Sequence, residues 1–226
     1  MIIPEEGSLL LVNKPKSWTS FDVVNKLRYL LKIKKIGHAG TLDPLARGLL
    51  LIGIGKYTKK LESLQVLDKT YEGIIEIGKT TPSFDLETPF DSFSDYRHVT
   101  PKAIAAVVEA LTGELDQMPP IYSAIKINGQ RAYKSARKNE MIELKSRKIK
   151  VYKFEITQVH LPEIHFRVVC SKGTYIRSLA KDLGEQLGVG GYLKDLVRTQ
   201  VGDYKLENAL HLEQLVDQIN FENESN

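Results

Sequence analysis

A glycine-punctuated loop that leads directly into a continuous apolar segment is the feature that most constrains how this chain can fold. Residues 37–48 read GHAGTLDPLARG, and residues 49–52 read LLLI. The apolar segment has the length and branching of a buried strand. The glycines allow backbone angles and close approaches that a side chain would prevent, and Pro44 restricts the backbone after Asp43. The sequence therefore predicts a rigid loop, packed against a sheet, that holds the Asp43 carboxylate in one direction.

The same loop also has a purely structural interpretation. An Asp-Pro turn that leads into a core strand requires no chemistry, and the local residues alone favour that interpretation. Other segments of the chain are needed to distinguish the catalytic interpretation from the structural one.

The composition is that of a globular protein without disulfides. The chain has 226 residues, 42% of them apolar, which is enough for one large domain or two unequal ones. Its single cysteine, Cys170, cannot form an internal disulfide, and its first residues lack the basic start and apolar core of a signal peptide. No apolar stretch approaches the roughly 20 residues that cross a bilayer. We expect a cytoplasmic protein that does not bind membranes.

Positive charge is concentrated in one part of the chain. Residues 126–153 contain ten basic and two acidic residues, whereas the rest of the chain contains 22 basic and 26 acidic residues. Such a run is more often a solvated face than a binding site. Tyr133 and Tyr152 lie among these cations, however, and aromatic rings among cations suit RNA. The candidate phosphate ligands are Arg131, Lys134, Lys138, Arg147, Lys148 and Lys150.

Hydrophobic spacing predicts an α+β fold around a mixed sheet, because helices and strands interleave without regular βαβ spacing. Strands are predicted over residues 8–13, 49–52, 71–77, 121–127, 149–159, 164–170 and 192–201. One helix begins at a cap on Thr19 or Ser20 and buries Phe21 with the leucines that follow, and another begins at Pro101 and ends before Gly113. Further helices are predicted over residues 131–138, 175–187 and 206–216.

Several kinds of site are excluded by residue spacing. The sequence around Gly55 and Lys56 lacks the first glycine and the hydroxyl residue of a phosphate-binding loop. We interpret the five histidines and the single Cys170 as forming no zinc site. We expect no metal site, and a structural role for Cys170.

Five separate segments together resemble the TruB family of pseudouridine synthases, which isomerise a uridine in the T-arm loop of tRNA. They are Lys14-Pro15 and residues 38–48, 69–71, 122–124 and 173–177. The pattern Gly-His-x-Gly-x-Leu-Asp-Pro-x-Ala-x-Gly is far more specific than isolated glycines, and the resemblance extends from about residue 9 to residue 212. It implies the pseudouridine synthase fold, with a mixed, largely antiparallel central sheet flanked by helices and loops.

The resemblance implies a reaction and three catalytic residues. Uridine 55 would become pseudouridine through breakage and re-formation of its glycosidic bond, without a cofactor or metal. Asp43 would be the essential carboxylate and Arg177 its cationic partner. Tyr71 would stack on the target base and is a candidate for moving the proton from C5. Whether Asp43 attacks the base, attacks the sugar or takes a sugar proton stays open.

The resemblance also implies residues that bind the substrate. The nucleotide must leave a folded tRNA loop, so base flipping is part of the mechanism. His38 would occupy the space left by the extruded base, Lys14 would support the active-site loop or a phosphate, and Tyr175 and Leu196 would form pocket walls. The expected partner is the T-arm stem-loop of tRNA, bound by a monomer.

The implied organisation is a catalytic domain over residues 1–212, in which residues 126–153 form a basic insertion that contacts RNA. Residues 213–226 would be an acidic tail, without the PUA module that many relatives carry. Pro82 stands where many relatives have an acidic residue, which leaves Asp85 as the polar residue of that loop. Arg47 stands where relatives often have a small or hydroxyl residue.

Two other functions are compatible with parts of the sequence. The basic residues alone fit a non-catalytic RNA-binding module or a tRNA folding chaperone. A glycoside hydrolase fits poorly because such enzymes use two carboxylates, and the motifs contain no second one. Replacement of Asp43 by asparagine distinguishes the isomerase from the non-catalytic alternative.

Overall fold

The structure is a computed structural model that describes residues 6–122, 126–127, 130–131 and 145–215. The chain divides into two compact units, one of Met1–Glu72 with Leu196–Asn226 and the other of Gly73–Asp195. In the described part of the chain, no helix combines the length and apolar character needed to cross a membrane.

The helices and strands follow in chain order. The helices are α1 (Ser20–Leu31), α2 (Leu61–Gln65), α3 (Pro101–Ala110) and α4 (Ile176–Gln186). The strands are β1 (Ser8–Lys14), β2 (Ile36–Ala39), β3 (Arg47–Ile54), β4 (Lys69–Ile77), β5 (Lys79–Thr80), β6 (Ser92–Phe93), β7 (Gly113–Gln117), β8 (Lys126–Ile127), β9 (Gln130–Arg131), β10 (Arg147–His160), β11 (Glu163–Cys170), β12 (Gly191–Val201), β13 (Tyr204–Lys205) and β14 (Leu210–His211).

The first unit is organised around β3, which is covered on both faces. In this unit the strand order is β14-β1-β3-β12, with β2 also paired to β3 and β13 paired to β12. Leu50 and Ile52 pack in one cluster with α1, whereas Leu49 and Leu51 pack in another with α2. Burial on both faces explains why this strand is a continuous apolar run instead of an alternating one.

Helix α1 begins where the sequence predicts. Thr19 is its N-cap, and the Thr19 and Asp22 side chains each accept a hydrogen bond from the other's backbone amide. The buried face includes Val23, Val24, Leu27 and Leu30. The prediction that Phe21 belongs to this face is wrong: its side chain is 55% exposed.

The second unit contains a mainly antiparallel arrangement with the order β4-β11-β10-β7. Strand β10 pairs antiparallel with β11 and with β7, and α3 contacts both β10 and α4. Glu76 is buried in β4 and accepts hydrogen bonds from Lys79 Nζ at 2.8 Å and Lys194 Nζ at 2.7 Å. Cys170 is buried at the end of β11 and is not part of a disulfide.

Most of the predicted elements are confirmed, including the strands that became β1, β3, β4, β10, β11 and β12. The mixed, mostly antiparallel sheet with its helices confirms the α+β class. The single helix predicted over residues 206–216 is wrong. Leu206–Asn208 is a short 3₁₀ turn, Leu210–His211 is β14, and helical structure is described only from residue 212.

The leucines of this segment explain the error, because Leu206 packs with the α2 cluster while Leu210 and Leu212 pack with the α1 cluster. Arg131 is a third correction, since it lies in β9 and not in a helix. Lys134, Lys138 and the turn predicted at Asn128-Gly129 lie outside the described residues.

Candidate active site

Asp43 lies in the connection between β2 and β3. Its carbonyl oxygen accepts a hydrogen bond from the Ala46 amide at 3.1 Å, which closes a turn, and its side chain is half-buried. Gly40 and Gly48 have φ values of 78° and 108°, which side chains rarely adopt. The two glycines therefore set the backbone direction on either side of the carboxylate.

Lys14, at the end of β1, holds one side of this loop. Its ammonium donates hydrogen bonds to the carbonyl oxygens of Trp18 at 2.5 Å, Pro15 at 3.0 Å and Pro44 at 3.3 Å. The Pro44 carbonyl also accepts from the Ser17 amide at 2.8 Å. The carbonyl next to Asp43 is thus fixed by two donors from the β1–α1 connection.

Ser20, the first residue of α1, holds the residue before Asp43. Its buried hydroxyl accepts a hydrogen bond from the Leu42 amide at 2.9 Å and lies 3.2 Å from the Leu42 carbonyl, to which it donates. Both polar backbone groups of Leu42 are therefore satisfied by one side chain.

Arg198, in β12, holds the rest of the loop. Its guanidinium donates to the carbonyl oxygens of Leu49 at 2.8 Å, Gly40 at 3.1 Å and Thr41 at 3.4 Å, and its side chain is almost completely buried. Arg198 was not among the site residues predicted from the sequence. The pattern that could have identified it is the alternation of the strand, which places Arg198 two residues after Leu196 and on the same face of β12.

The two cations around the loop influence each other. Burial lowers the pKa of Lys14 to about 8, although the nearby Asp43 carboxylate raises it, and the Arg198 charge lowers it further. Burial also lowers the pKa of His38, and Arg198 lowers it in addition. His38 is therefore neutral at pH 7, a state that suits stacking better than proton transfer.

Five of the predicted site residues belong to the first unit: Lys14, His38, Asp43, Tyr71 and Leu196. Tyr71 is 8% exposed in β4, and Leu196 is buried in β12. The structure brings Lys14 to the Asp43 loop, because the lysine donates to the Pro44 carbonyl. Tyr175 and Arg177 belong to the second unit, so their pairing with residues of the first unit stays a prediction.

Arg177 is buried in the first turn of α4 and is not the surface residue that a helix position alone suggests. Its guanidinium lies 3.6 Å from the buried Asp85 carboxylate and donates to the carbonyls of Tyr122 at 2.9 Å and Ser83 at 3.2 Å. The role of Asp85, which the sequence left open, is thus to pair with Arg177. This network fixes the direction of the guanidinium within its unit.

Tyr175 is the N-cap residue of α4, and Gln117 holds its backbone from both sides. The Gln117 side chain accepts from the Tyr175 amide at 2.8 Å and donates to the Tyr175 carbonyl at 3.0 Å. Gln117 is buried at the end of β7. These two hydrogen bonds join the start of α4 to β7 and fix the position of the Tyr175 backbone.

The C-terminal part of the basic window lies along β10. Arg147, Lys148 and Lys150 are exposed, and the Lys150 ammonium lies 5.8 Å from the centre of the Tyr152 ring, which is 47% exposed. Lys148, Lys150 and Tyr152 alternate with buried residues, so they share one face of the strand. Cations and a ring on one exposed face fit an RNA backbone with unstacked bases.

Over the residues that the structure describes, no group of three histidine, cysteine, aspartate or glutamate side chains is arranged to hold a metal ion. The first unit supplies the Asp43 carboxylate, the Tyr71 phenol and the Arg198 guanidinium, and the second unit supplies the Arg177 guanidinium.

The class of the protein follows from matches to two family models. Residues 28–176 match the N-terminal domain of TruB family pseudouridylate synthases, and residues 177–226 match the C-terminal domain of tRNA pseudouridylate synthase B. Pseudouridylate synthases are RNA-modifying isomerases. Because the first model alone covers more than half of the chain, the chain belongs to the TruB family.

Curated relatives agree with this assignment. The chain is 54% identical to tRNA pseudouridine synthase B of Flavobacterium johnsoniae, over 92% of this chain and 93% of the relative. It is 48% identical to the protein of that name from Phocaeicola vulgatus, over 92% of each chain. The chain is accordingly a tRNA pseudouridine synthase of the TruB type, which confirms the predicted enzyme class.

Solved structures with the same fold belong to larger assemblies. The chain superposes with a TM-score of 0.76 and 31% identity on a chain of a Cbf5-Nop10-Gar1 complex. It superposes with a TM-score of 0.73 and 27% identity on a chain of an H/ACA ribonucleoprotein bound to a substrate RNA that contains 2′-deoxyuridine. In both cases 98% of this chain is covered, and it spans 56% of the other chain.

Proposed function

We propose that this enzyme converts uridine 55 in the T-arm loop of tRNA into pseudouridine. The family and the names of the relatives support tRNA as the substrate class, and the family resemblance supports the T-arm position. Because tRNA is the substrate, we also propose that the enzyme works in the cytoplasm, as a monomer that binds one T-arm.

The arrangement around Asp43 is the observation that carries the proposal. Carbonyl oxygens on both sides of Asp43 accept hydrogen bonds from Lys14, Ser20 and Arg198. Such a loop has little freedom to move when a substrate binds, and a preorganised carboxylate is what a charged intermediate requires. A simple surface turn would not need three buried donors.

The reaction requires that one carboxylate act on a detached base. Uracil leaves ribose C1′ through its nitrogen, rotates in the closed pocket and rejoins C1′ through carbon C5. We propose Asp43 as the residue that makes this cleavage possible, and Arg177 as its cationic partner. Attack on the base, attack on the sugar and removal of a sugar proton are three routes that all need the ionised form.

The other residues of the site have supporting roles in this proposal. Tyr71 stacks on the uracil and moves the proton from C5, while Tyr175 and Leu196 form pocket walls. The target nucleotide flips out of the T-loop, and His38 takes its place in the stack. Arg147, Lys148 and Lys150 hold phosphates of the arm, because their side chains are exposed on one strand.

The test measures pseudouridine at position 55 in a tRNA transcript after incubation with the wild-type enzyme and with Asp43→Asn. We expect complete modification by the wild type and none by the variant, with unchanged tRNA affinity. Asp68→Asn is the matched control because Asp68 is an exposed aspartate of the same unit. Full activity of Asp43→Asn would overturn the role proposed for Asp43, whereas absence of modification by the wild type as well would favour a non-catalytic RNA-binding or chaperone function.

A further inference from the structure

Helix α1 ends beside an open depression of the surface that is lined by three cations and one apolar side chain. The depression has a volume of about 410 Å³, and its lining residues are Arg28, Lys32, Ile33 and Lys34. Lys32 ends the helix in the left-handed conformation, with φ of 56°, and both Lys32 and Lys34 are exposed. This site lies outside the basic window and outside the active-site loop.

The charge of this region is not balanced by nearby acids. Between Asp22 and Asp43 the sequence contains five lysines and arginines and no acidic residue. Among the described residues, no carboxylate forms an ion pair with Arg28, Lys32 or Lys34. The cations therefore produce a local positive potential that attracts anions.

Arg28 is held in place by its other contacts. Its guanidinium donates to the Ile36 carbonyl at 2.7 Å and lies 5.5 Å from the centre of the Phe21 ring. Its Nε is buried and has no hydrogen-bond partner within the described part of the chain. Because Nε is buried, an oxyanion meets the half-buried guanidinium at its terminal nitrogens, whose positions these contacts already restrict at little further entropic cost.

Stabilisation of the helix end explains only part of this arrangement. A cation near the C-terminus of a helix interacts favourably with the last carbonyls. Arg28, in the last turn, already provides that cation. The exposed Lys32 and Lys34 line the same depression and add two further cations to it.

The neighbouring surface favours RNA over an acidic protein. Tyr29 is 80% exposed, and Lys26 lies three residues before it, so the ring and this cation share one side of α1. The exposed Lys32 follows directly after the helix. Exposed rings between cations are typical of surfaces that bind RNA. The Ile36 carbonyl that holds Arg28 begins β2, a strand of about 10 Å that leads towards the Asp43 loop.

We propose that Arg28, Lys32 and Lys34 form a second phosphate-binding site for the tRNA backbone, away from the nucleotide that is modified. The inference rests on the proposed function only in that the bound RNA is the tRNA substrate. The site contributes to affinity and not to the chemical step, since phosphate contacts position a nucleic acid without taking part in the reaction.

The test compares binding of a tRNA transcript by the wild type, by K32E/K34E and by the control K102E/K205E, which changes the net charge equally at exposed lysines elsewhere. We expect K32E/K34E to lose at least tenfold in affinity at low salt. The slope of log affinity against log salt should fall by about 2, because two phosphate contacts are lost. Its kcat at saturating tRNA should be unchanged, and the control should bind like the wild type.

Thermal unfolding of each variant checks that the fold is intact. If K32E/K34E does not fold, K32Q/K34Q provides the same comparison, with a smaller expected loss of tRNA affinity. The proposed phosphate-binding site would be overturned if K32E/K34E bound tRNA as tightly as the wild type. It would also be overturned if K32E/K34E and the control lost tRNA affinity equally. Absence of pseudouridine at position 55 with the wild-type enzyme would overturn the proposed function instead, and the binding measurements do not depend on that result.

Discussion

The backbone of Gly48 lies against the backbone of Arg198 too closely for any side chain. A Cβ atom added to Gly48 would be 2.4 Å from the Arg198 carbonyl oxygen and 2.8 Å from its amide nitrogen. The two residues are register partners in the parallel pair of β3 and β12. Because the Arg198 side chain holds the carbonyls of the Asp43 loop, this close approach connects the strand pairing to the geometry of the site.

Gly48→Ala is therefore expected to destabilise the protein strongly. The added methyl group meets backbone atoms that cannot move away, and its φ of 108° is unfavourable for alanine. We expect a loss of about 2–4 kcal/mol in the free energy of unfolding, measured with urea, together with a loss of activity.

Gly188→Ala is the matched control for Gly48→Ala. Gly188 also has a positive φ, of 76°, but a Cβ atom there would meet nothing within 4 Å. Its substitution should cost only the conformational penalty, about 1–2 kcal/mol, with normal activity. Equal destabilisation at the two positions would show that the contact with Arg198 is unimportant.

The buried Lys14 predicts a pH dependence of stability. Its pKa falls from 10.5 in the unfolded chain to about 8 in the folded protein. Between these values the unfolded state binds more protons, so the free energy of unfolding rises with pH through this group. The gain between pH 7 and pH 11 is about 3 kcal/mol.

Comparison with Lys14→Met isolates this contribution from other groups that titrate at high pH. Urea unfolding of both proteins from pH 7 to pH 11 should show the stability of the wild type increasing relative to the variant as pH rises. Parallel curves over that range would mean that Lys14 titrates at its ordinary value.

The pair of Arg177 and Asp85 should be sensitive to the loss of one charge. Both side chains are buried, at 3% and 7% exposure, so Asp85→Asn removes a buried negative charge that lies 3.6 Å from the guanidinium. We expect a destabilisation of about 3 kcal/mol and a lower kcat. Asp95→Asn, which removes the exposed partner of Arg97, should change neither quantity measurably.

The fold was predictable where side-chain periodicity reports burial directly. The apolar run of β3, the alternation in β10 and the Thr19 cap of α1 each have a local cause. The segment from residue 206 was not predictable in this way. Its leucines recur at helical spacing but pack in two different clusters, and β14 forms because β1 offers it a partner.

In the candidate site too, only the residues that belong to a local sequence motif could be predicted. Asp43 was identified because its motif is local and specific, whereas Arg198, Ser20 and Asp85 act through partners distant in sequence. Arg198 donates to carbonyls about 150 residues away, and backbone carbonyls have no sequence signature. Such a residue is recognisable only as a charged side chain on an otherwise apolar strand face.

Tyr71→Phe tests the role proposed for the phenol. Tyr71 is 8% exposed in β4, and phenylalanine keeps the ring, so folding and stacking on the base should be preserved. If the hydroxyl moves the C5 proton, its removal lowers kcat by about 10²–10⁴-fold and leaves KM nearly unchanged. Tyr57→Phe, at a partly exposed tyrosine of the same unit, is the control and should have normal kcat. A Tyr71→Phe enzyme with normal kcat would restrict Tyr71 to packing, and the proton would have to leave C5 by another group.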